Sequence, residues 1–193
     1  MKIKFLVIVV AIIVVVIVAS FAALYFVTYN NIVGLNASTE NAWANVDVQL
    51  QRRYDLIPNV VDAARAYITY EGSILQNITA LRSQWMNAEQ SGNLDSINSA
   101  TSAMESGISS LIVTFEAYPN LQASDVVQSL MITLEGTENR ISTERIRFND
   151  AVRSYNTAIQ VFPANLWTAG WGYTAKSYFQ AQVGATTVPP VDL

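Results

Sequence analysis

From Phe5 to Val27 the chain carries no charged side chain, and Val and Ile fill most of it, in unbroken runs over Val7 to Val10 and Ile12 to Ile17. A hydrocarbon core of roughly 30 Å takes about 20 residues of helix at 1.5 Å each, so this run is long enough to span a bilayer. A backbone in lipid must satisfy its own hydrogen bonds, which predicts a helix in spite of the β-branched content. A cleaved secretory signal is the alternative, but its apolar stretch runs about 7–15 residues with a small-x-small exit. Here Ser20-Phe21-Ala22 matches that exit weakly.

Beyond the span, apolar positions step by three and four, which puts them on one helix face. Trp43, Val46, Leu50, Tyr54 and Ile57 predict a first helix that Pro58 stops. The second carries Val61, Ala64, Ile68, Leu75, Ile78, Leu81 and Trp85 and ends at Ser91-Gly92-Asn93. A third, from Leu94 to Tyr118, has Ile108, Leu111, Ile112 and Phe115 on its apolar face and ends at Pro119. In the fourth, Leu130, Leu134, Thr137, Ile141, Arg145, Phe148, Val152, Tyr155, Ile159 and Phe162 repeat for about four heptads, as in a coiled coil. Ser124 is its expected N-cap, with Asp125 in the first turn, and Pro163 ends it. No segment alternates with period two. The expected fold is all-α, an N-terminal transmembrane helix leading into an antiparallel up-down four-helix bundle. Residues 1–28 are the anchor, 29–163 the bundle and 164–193 an aromatic C-terminal tail.

Helix parity then assigns the ends. Arg52 to Asn59 and Tyr118 to Ala123 fall at a membrane-distal tip, and the tail returns to the bilayer. There the rings of Trp167, Trp171, Tyr173, Tyr178 and Phe179 suit the headgroup zone or a neighbouring subunit. Gly72, Gly107 and Gly136 lie 14, 12 and 17 residues from the turn prolines, and Trp43 lies 15 before Pro58. Their matching heights predict that the Trp43 indole fills a layer of missing side chains.

Charge sets orientation. Lys2 and Lys4 precede the span, whereas Thr28 to Thr39 has neither Lys nor Arg. The positive-inside rule puts the N-terminus in the cytoplasm and the bundle outside the cell membrane. The 193-residue chain has a net charge of −4 and only 13% charged residues, against about 25% in a typical soluble protein. Asn, Gln, Ser and Thr take the surface positions instead. Without a basic run, nucleic acid and an anionic-lipid patch are both disfavoured. No Cys is present, hence no disulfide. Asn36-Ala37-Ser38 and Asn77-Ile78-Thr79 are glycosylation sequons, so Asn36 and Asn77 are candidate acceptors outside the cell.

His and Cys are both absent, which removes His-dependent triads, cysteine nucleophiles and nearly all zinc sites. A bundle di-iron centre needs Glu-x-x-His pairs, and a Ca²⁺ loop of the Asp-x-Asp-x-Asp type is not seen. No enzyme, metal or cofactor is therefore expected. Arg145 falls on the apolar stripe between Ile141 and Phe148, and a buried Arg needs a partner. A polar layer joining it to a carboxylate such as Glu138 or Asp47 is expected. At the tip, Arg52 and Arg53 suit a helix C-terminus and Asp55 can accept from turn amides. Two adjacent arginines cannot both face inward, so Arg52, Arg53, Asp55 and Tyr118 form a candidate partner-binding surface.

Several segments resemble the LemA family. They are Tyr29-Asn30, Ala42-Trp43-Ala44-Asn45-Val46-Asp47 and Arg52-Arg53-Tyr54-Asp55-Leu56-Ile57-Pro58-Asn59-Val60-Val61. Further on come Ala117-Tyr118-Pro119-Asn120-Leu121-Gln122-Ala123 and Leu134-Glu135-Gly136-Thr137-Glu138-Asn139-Arg140-Ile141. Phe148-Asn149, Ala151-Val152, Tyr155-Asn156 and Phe162-Pro163 complete the series. Tyr70, Asn120 and Gln122 depart from the family's usual His, Asp and Lys. The resemblance implies a single-pass membrane protein with a helical-bundle domain and no established enzymatic activity, concerned with the envelope. It also implies the frequent genomic company of a membrane zinc metalloprotease, and some members are described with the bundle in the cytoplasm. The expectation is a non-enzymatic, membrane-anchored interaction or scaffold protein that forms a homo-oligomer. The alternative is an adaptor or accessory subunit of a membrane metalloprotease.

Overall fold

Nothing between Val27 and Trp43 breaks a helix, and none is broken. In the computed structural model, which describes residues 2–65, 67–68 and 72–179, the first helix α1 runs without interruption over Lys2–Tyr54. The apolar run and the first amphipathic segment are thus one helix of 53 residues. It ends at Tyr54 rather than at Pro58. A proline ring collides with the carbonyl four residues back, which here belongs to Tyr54, so the helix must stop there. Pro58 is instead the second residue of α2 (Ile57–Arg65), where a missing N–H breaks no intrahelical bond.

The expected second helix is divided. α2 closes with the amides of Tyr67 and Ile68 both donating to the Ala64 carbonyl, and α3 (Gly72–Ser91) begins afresh. Tyr70 lies outside the described residues. The turn after α3 needs the left-handed backbone that glycine adopts without strain, and Gly92 supplies it at φ +64°. Asn93 then caps α4 (Leu94–Glu116), its Oδ1 accepting from the Asp95 amide at 2.9 Å and the Ser96 amide at 3.1 Å. A short α5 (Pro119–Gln122) opens on its proline. α6 (Asp125–Gln160) is 36 residues long, its first turn closed by the Gln128 amide on the Ser124 carbonyl. A 3-10 turn, Ala164–Leu166, follows. Among the described residues there is no strand.

The chain forms two compact units, and their limits differ from the expected anchor, bundle and tail. The first comprises Met1–Ala42 and Asp150–Lys176, the second Trp43–Asn149 and Ser177–Leu193. In the first, the apolar side chains of α1 from Phe5 to Val27 are almost all exposed, which makes this stretch a candidate membrane span. Its core forms where Ile32 meets Tyr155, Ile159 and Ala164.

In the second unit α3 packs along α4, and the core includes Leu50, Tyr54, Ile57, Ile78, Leu111 and Leu134. The glycine layer expected around Trp43 is absent. Gly107 does mark a close approach, since a Cβ there would lie 2.5 Å from Leu81 Cδ1 and 3.0 Å from Ile78 Cδ1. The space is therefore filled by Leu81. Gly72 merely starts α3, and Trp43 is half-buried against Phe148 and Phe179 instead. Gly136 is exposed in mid-helix with no neighbour within 4 Å of an added Cβ. Gly136→Ala is expected to raise stability by about 1 kcal/mol, the helix-propensity difference, in urea unfolding of the full chain. A loss of stability would show that the hydrogen at that Cα is needed for packing.

Candidate functional site

Polar side chains enter the second unit on the buried faces of its helices. Arg145 stands on the α6 stripe as expected, but its partner is Glu105 of α4, not Glu138 or Asp47. The two side chains are 12% and 3% exposed, so both charges are largely removed from water. Glu138 instead accepts from Arg53 of α1. Glu105 escaped the sequence reading because Ile108, Leu111, Ile112 and Phe115 dominated that helix. The signal was present: Ile97, Thr101, Met104, Glu105 and Ile108 follow the three-four step, and all five are buried. Tyr54 and Thr101 add hydroxyls to this layer. Burial, reinforced by the charge of Glu105, holds the Tyr54 phenol well above its usual range, so it remains a neutral hydroxyl.

A groove of about 340 Å³ touches the same layer, lined by Arg53, Glu105, Ile108, Ser109, Glu135 and Glu138 among others. Its guanidinium and two of its carboxylates belong to ion pairs. That arrangement fixes helix register more readily than it transfers protons. On α1, burial and the nearby Glu89 raise the Asp47 carboxyl above the ordinary carboxylate range. A raised acid favours the folded state when protonated, so its contribution falls as pH climbs from the ordinary carboxylate value through the raised one. Asp47→Asn is expected to increase stability at pH 7 and to leave it little changed at pH 3. Unfolding midpoints of variant and parent that keep the same separation at both pH values would contradict this.

The candidate tip residues are not equivalent. Arg53 is buried at 5% exposure, whereas Arg52 is exposed, so the adjacent arginines divide as expected. Asp55 accepts from Arg82 Nη2 at 3.0 Å, and Arg82 Nε donates to the Tyr54 carbonyl at 3.0 Å, capping the end of α1. Tyr118 is half-buried and precedes Pro119 as the N-cap of α5. A partner approaching this end would meet Arg52 rather than Arg53.

Aromatic side chains collect in the first unit. Trp171 Nε1 donates to Tyr25 Oη at 2.9 Å. The rings of Trp167 and Trp171 stand 5.4 and 5.2 Å from that of Tyr25, and Tyr29 lies 5.1 Å from Trp171. Tyr173 packs on Tyr155. The Tyr155 hydroxyl donates to the Thr174 carbonyl at 3.0 Å. Asn156 then holds both backbone polar groups of Lys176, accepting its amide at 2.8 Å and donating to its carbonyl at 2.9 Å. Lys176 Nζ donates to Thr39 Oγ1 at 2.5 Å, and burial lowers its pKa in spite of Glu40.

The second unit repeats the device. Asn149 accepts the Phe179 amide at 2.8 Å and donates to its carbonyl at 2.9 Å, and Asn98 Nδ2 donates to the Tyr178 carbonyl at 3.4 Å. Phe179 is 3% exposed, near-parallel to Trp43 at 5.9 Å, with the Arg145 guanidinium 4.6 Å from its ring centre. Phe179, expected at a membrane or assembly face, is thus buried within the second unit. Tyr178 points outward at 44% exposure. Both clamps were missed, although each asparagine follows a buried aromatic seven residues from the next, in Phe148-Asn149 and Tyr155-Asn156. Of the sequons, Asn36 Nδ2 donates to Glu40 at 2.7 Å along α1, and Asn77 is exposed on α3.

Magnetosome proteins MamQ 1 and MamQ 2 of Paramagnetospirillum magneticum are each 25% identical, over 87% of this chain and 70% of theirs. Magnetosome protein MamQ of Magnetospirillum gryphiswaldense is 24% identical over the same shares. The model of the LemA family matches residues 42–193, and on that match the chain belongs to the LemA family.

Proposed function

We propose that the protein is a non-enzymatic, single-pass scaffold of the cell envelope that self-associates. In this reading its helices pack as an antiparallel bundle outside the membrane. The observation that carries it is α1, whose apolar side chains from Phe5 to Val27 are almost all exposed and whose later turns supply buried core residues without a break in the helix. Interior ion pairs that set register, rather than groups held ready to react, support a structural role. Kinship with proteins named for the magnetosome is in keeping with it.

Affinity purification of the full tagged chain from native membrane tests the role. Multimers of the chain as the main product are the expected result. A stoichiometric metalloprotease in their place would favour the adaptor instead. The orientation rests on Lys2 and Lys4 before the span. Protease added to intact cells is expected to digest the domain, and complete protection until lysis would reverse the topology.

A further inference from the structure

Three large apolar side chains stay in the open where α6 gives way to the 3-10 turn. Val161, Phe162 and Leu166 are 50%, 76% and 61% exposed. They are the outer side of a turn whose inner side is fixed, since Ala164 is buried in the cluster with Ile32, Tyr155 and Ile159. Phe162 was expected on the buried stripe of α6. The helix ends at Gln160, two residues too early to turn it inward.

The height of this turn along α1 is also fixed. Trp171 is bonded to Tyr25 and stacked edge-on to Tyr29, and Trp167 packs on Tyr25 as well. Tyr25 stands in the last turn of the apolar run, which ends at Val27. From Phe5 to Val27 the run covers about 33 Å at 1.5 Å per residue, some 3 Å more than a hydrocarbon core needs. That puts Tyr25 at the edge of the hydrocarbon core and Tyr29 in the headgroup zone, the level at which Trp and Tyr rings collect.

We propose that the turn Val161–Leu166 is a second membrane contact: Phe162, Leu166 and Val161 dip into the acyl boundary of the same leaflet, beneath a belt made by Trp167, Trp171 and Tyr25. The occupant of this apolar patch is lipid, because the patch is tied to α1 at the depth where its own lipid-facing surface ends. Side chains of the same kind on Leu24, Phe26 and Val27 of α1 are likewise exposed. The contact adds no retention to a helix that already spans. It restricts rotation about α1 and so holds the first unit in one orientation at the membrane.

This inference rests on the reading of α1 as a span, and the test separates the two. The chain has no native cysteine, so single cysteines can be labelled cleanly. Phe162→Cys, Leu166→Cys, Val15→Cys and Val113→Cys variants of the full chain carry an environment-sensitive nitrobenzoxadiazole dye in phosphatidylcholine vesicles. Nitroxide lipids labelled near the headgroup are expected to quench the dye at 162 and 166 severalfold more than lipids labelled deep in the tail. The dye at 15 should show the reverse depth preference, and the dye at 113 should answer only to aqueous iodide. Iodide quenching at 162 and 166 with normal deep quenching at 15 would overturn the second contact and leave the span intact. A blue-shifted dye at 162 that no lipid quencher reaches would mean coverage by protein, and also overturn it. Loss of deep quenching at 15 would overturn the span and the contact together.

Discussion

Arg145→Met will destabilise the second unit by about 3–5 kcal/mol, and the same change made together with Glu105→Met will cost far less. The single variant leaves Glu105, at 3% exposure, without the guanidinium that compensates its charge. Breaking one side of a buried ion pair typically costs that much, because the surviving charge keeps its desolvation penalty and loses the main attraction that offset it. Replacing both members with apolar groups of similar volume removes the desolvation penalty along with the attraction and is often neutral. Arg53→Met should cost less, since the surviving Glu138 is 40% exposed and water can take over from the missing guanidinium. Urea unfolding of the full chain in mild detergent, followed by circular dichroism, reads all four members of the cycle. A coupling between Arg145 and Glu105 below about 0.5 kcal/mol would mean that the pair does not hold the layer.

How much of this could be read in advance depended on the range of the interaction. The long apolar start of α1, the stop near Pro58, the turn at Gly92 and the long α6 are local matters of period and breaker, and they emerged within a few residues of where they stand. The stripe of α6 from Leu134 to Ile159 came through because burial repeats with the helix. A position on that stripe does not say which helix faces it, so Arg145 was marked as paired while Glu105 was overlooked. Heights counted from prolines brought Trp43 level with three glycines, but height carries no information about azimuth around a helix. The indole accordingly meets Phe148 and Phe179 and not Gly107. The tail was least legible. Its aromatic rings suggested one common surface, whereas Trp171 serves Tyr25 in the first unit and Phe179 serves Trp43 in the second. What divides them is backbone recognition by Asn156 and Asn149, and a polar side chain beside an aromatic on a helix gives little warning of a strap.

That strap makes Phe179 the residue on which the second large effect should fall. Phe179→Ala removes a ring that is 3% exposed, stacked near Trp43 and faced by the Arg145 guanidinium at 4.6 Å. Loss of a buried aromatic generally costs about 3–5 kcal/mol, the upper part of the range applying where the site cannot collapse. Collapse is hindered here, since Asn149 fixes the Phe179 backbone through two hydrogen bonds and the cavity would keep its shape. Trp43→Ala should cost less, about 2 kcal/mol, because that indole is only half-buried and part of its surface is already in water. Tyr178→Ala, next door but 44% exposed, should stay within about 0.5 kcal/mol of the parent. Urea midpoints give the ranking, and the size distribution in mild detergent gives a second readout. If Phe179→Ala kept full stability while the size distribution shifted to smaller species, the ring would belong to an interface between copies and its burial within the chain would count for little. Lost stability with an unchanged size distribution would make it a plug that closes the second unit.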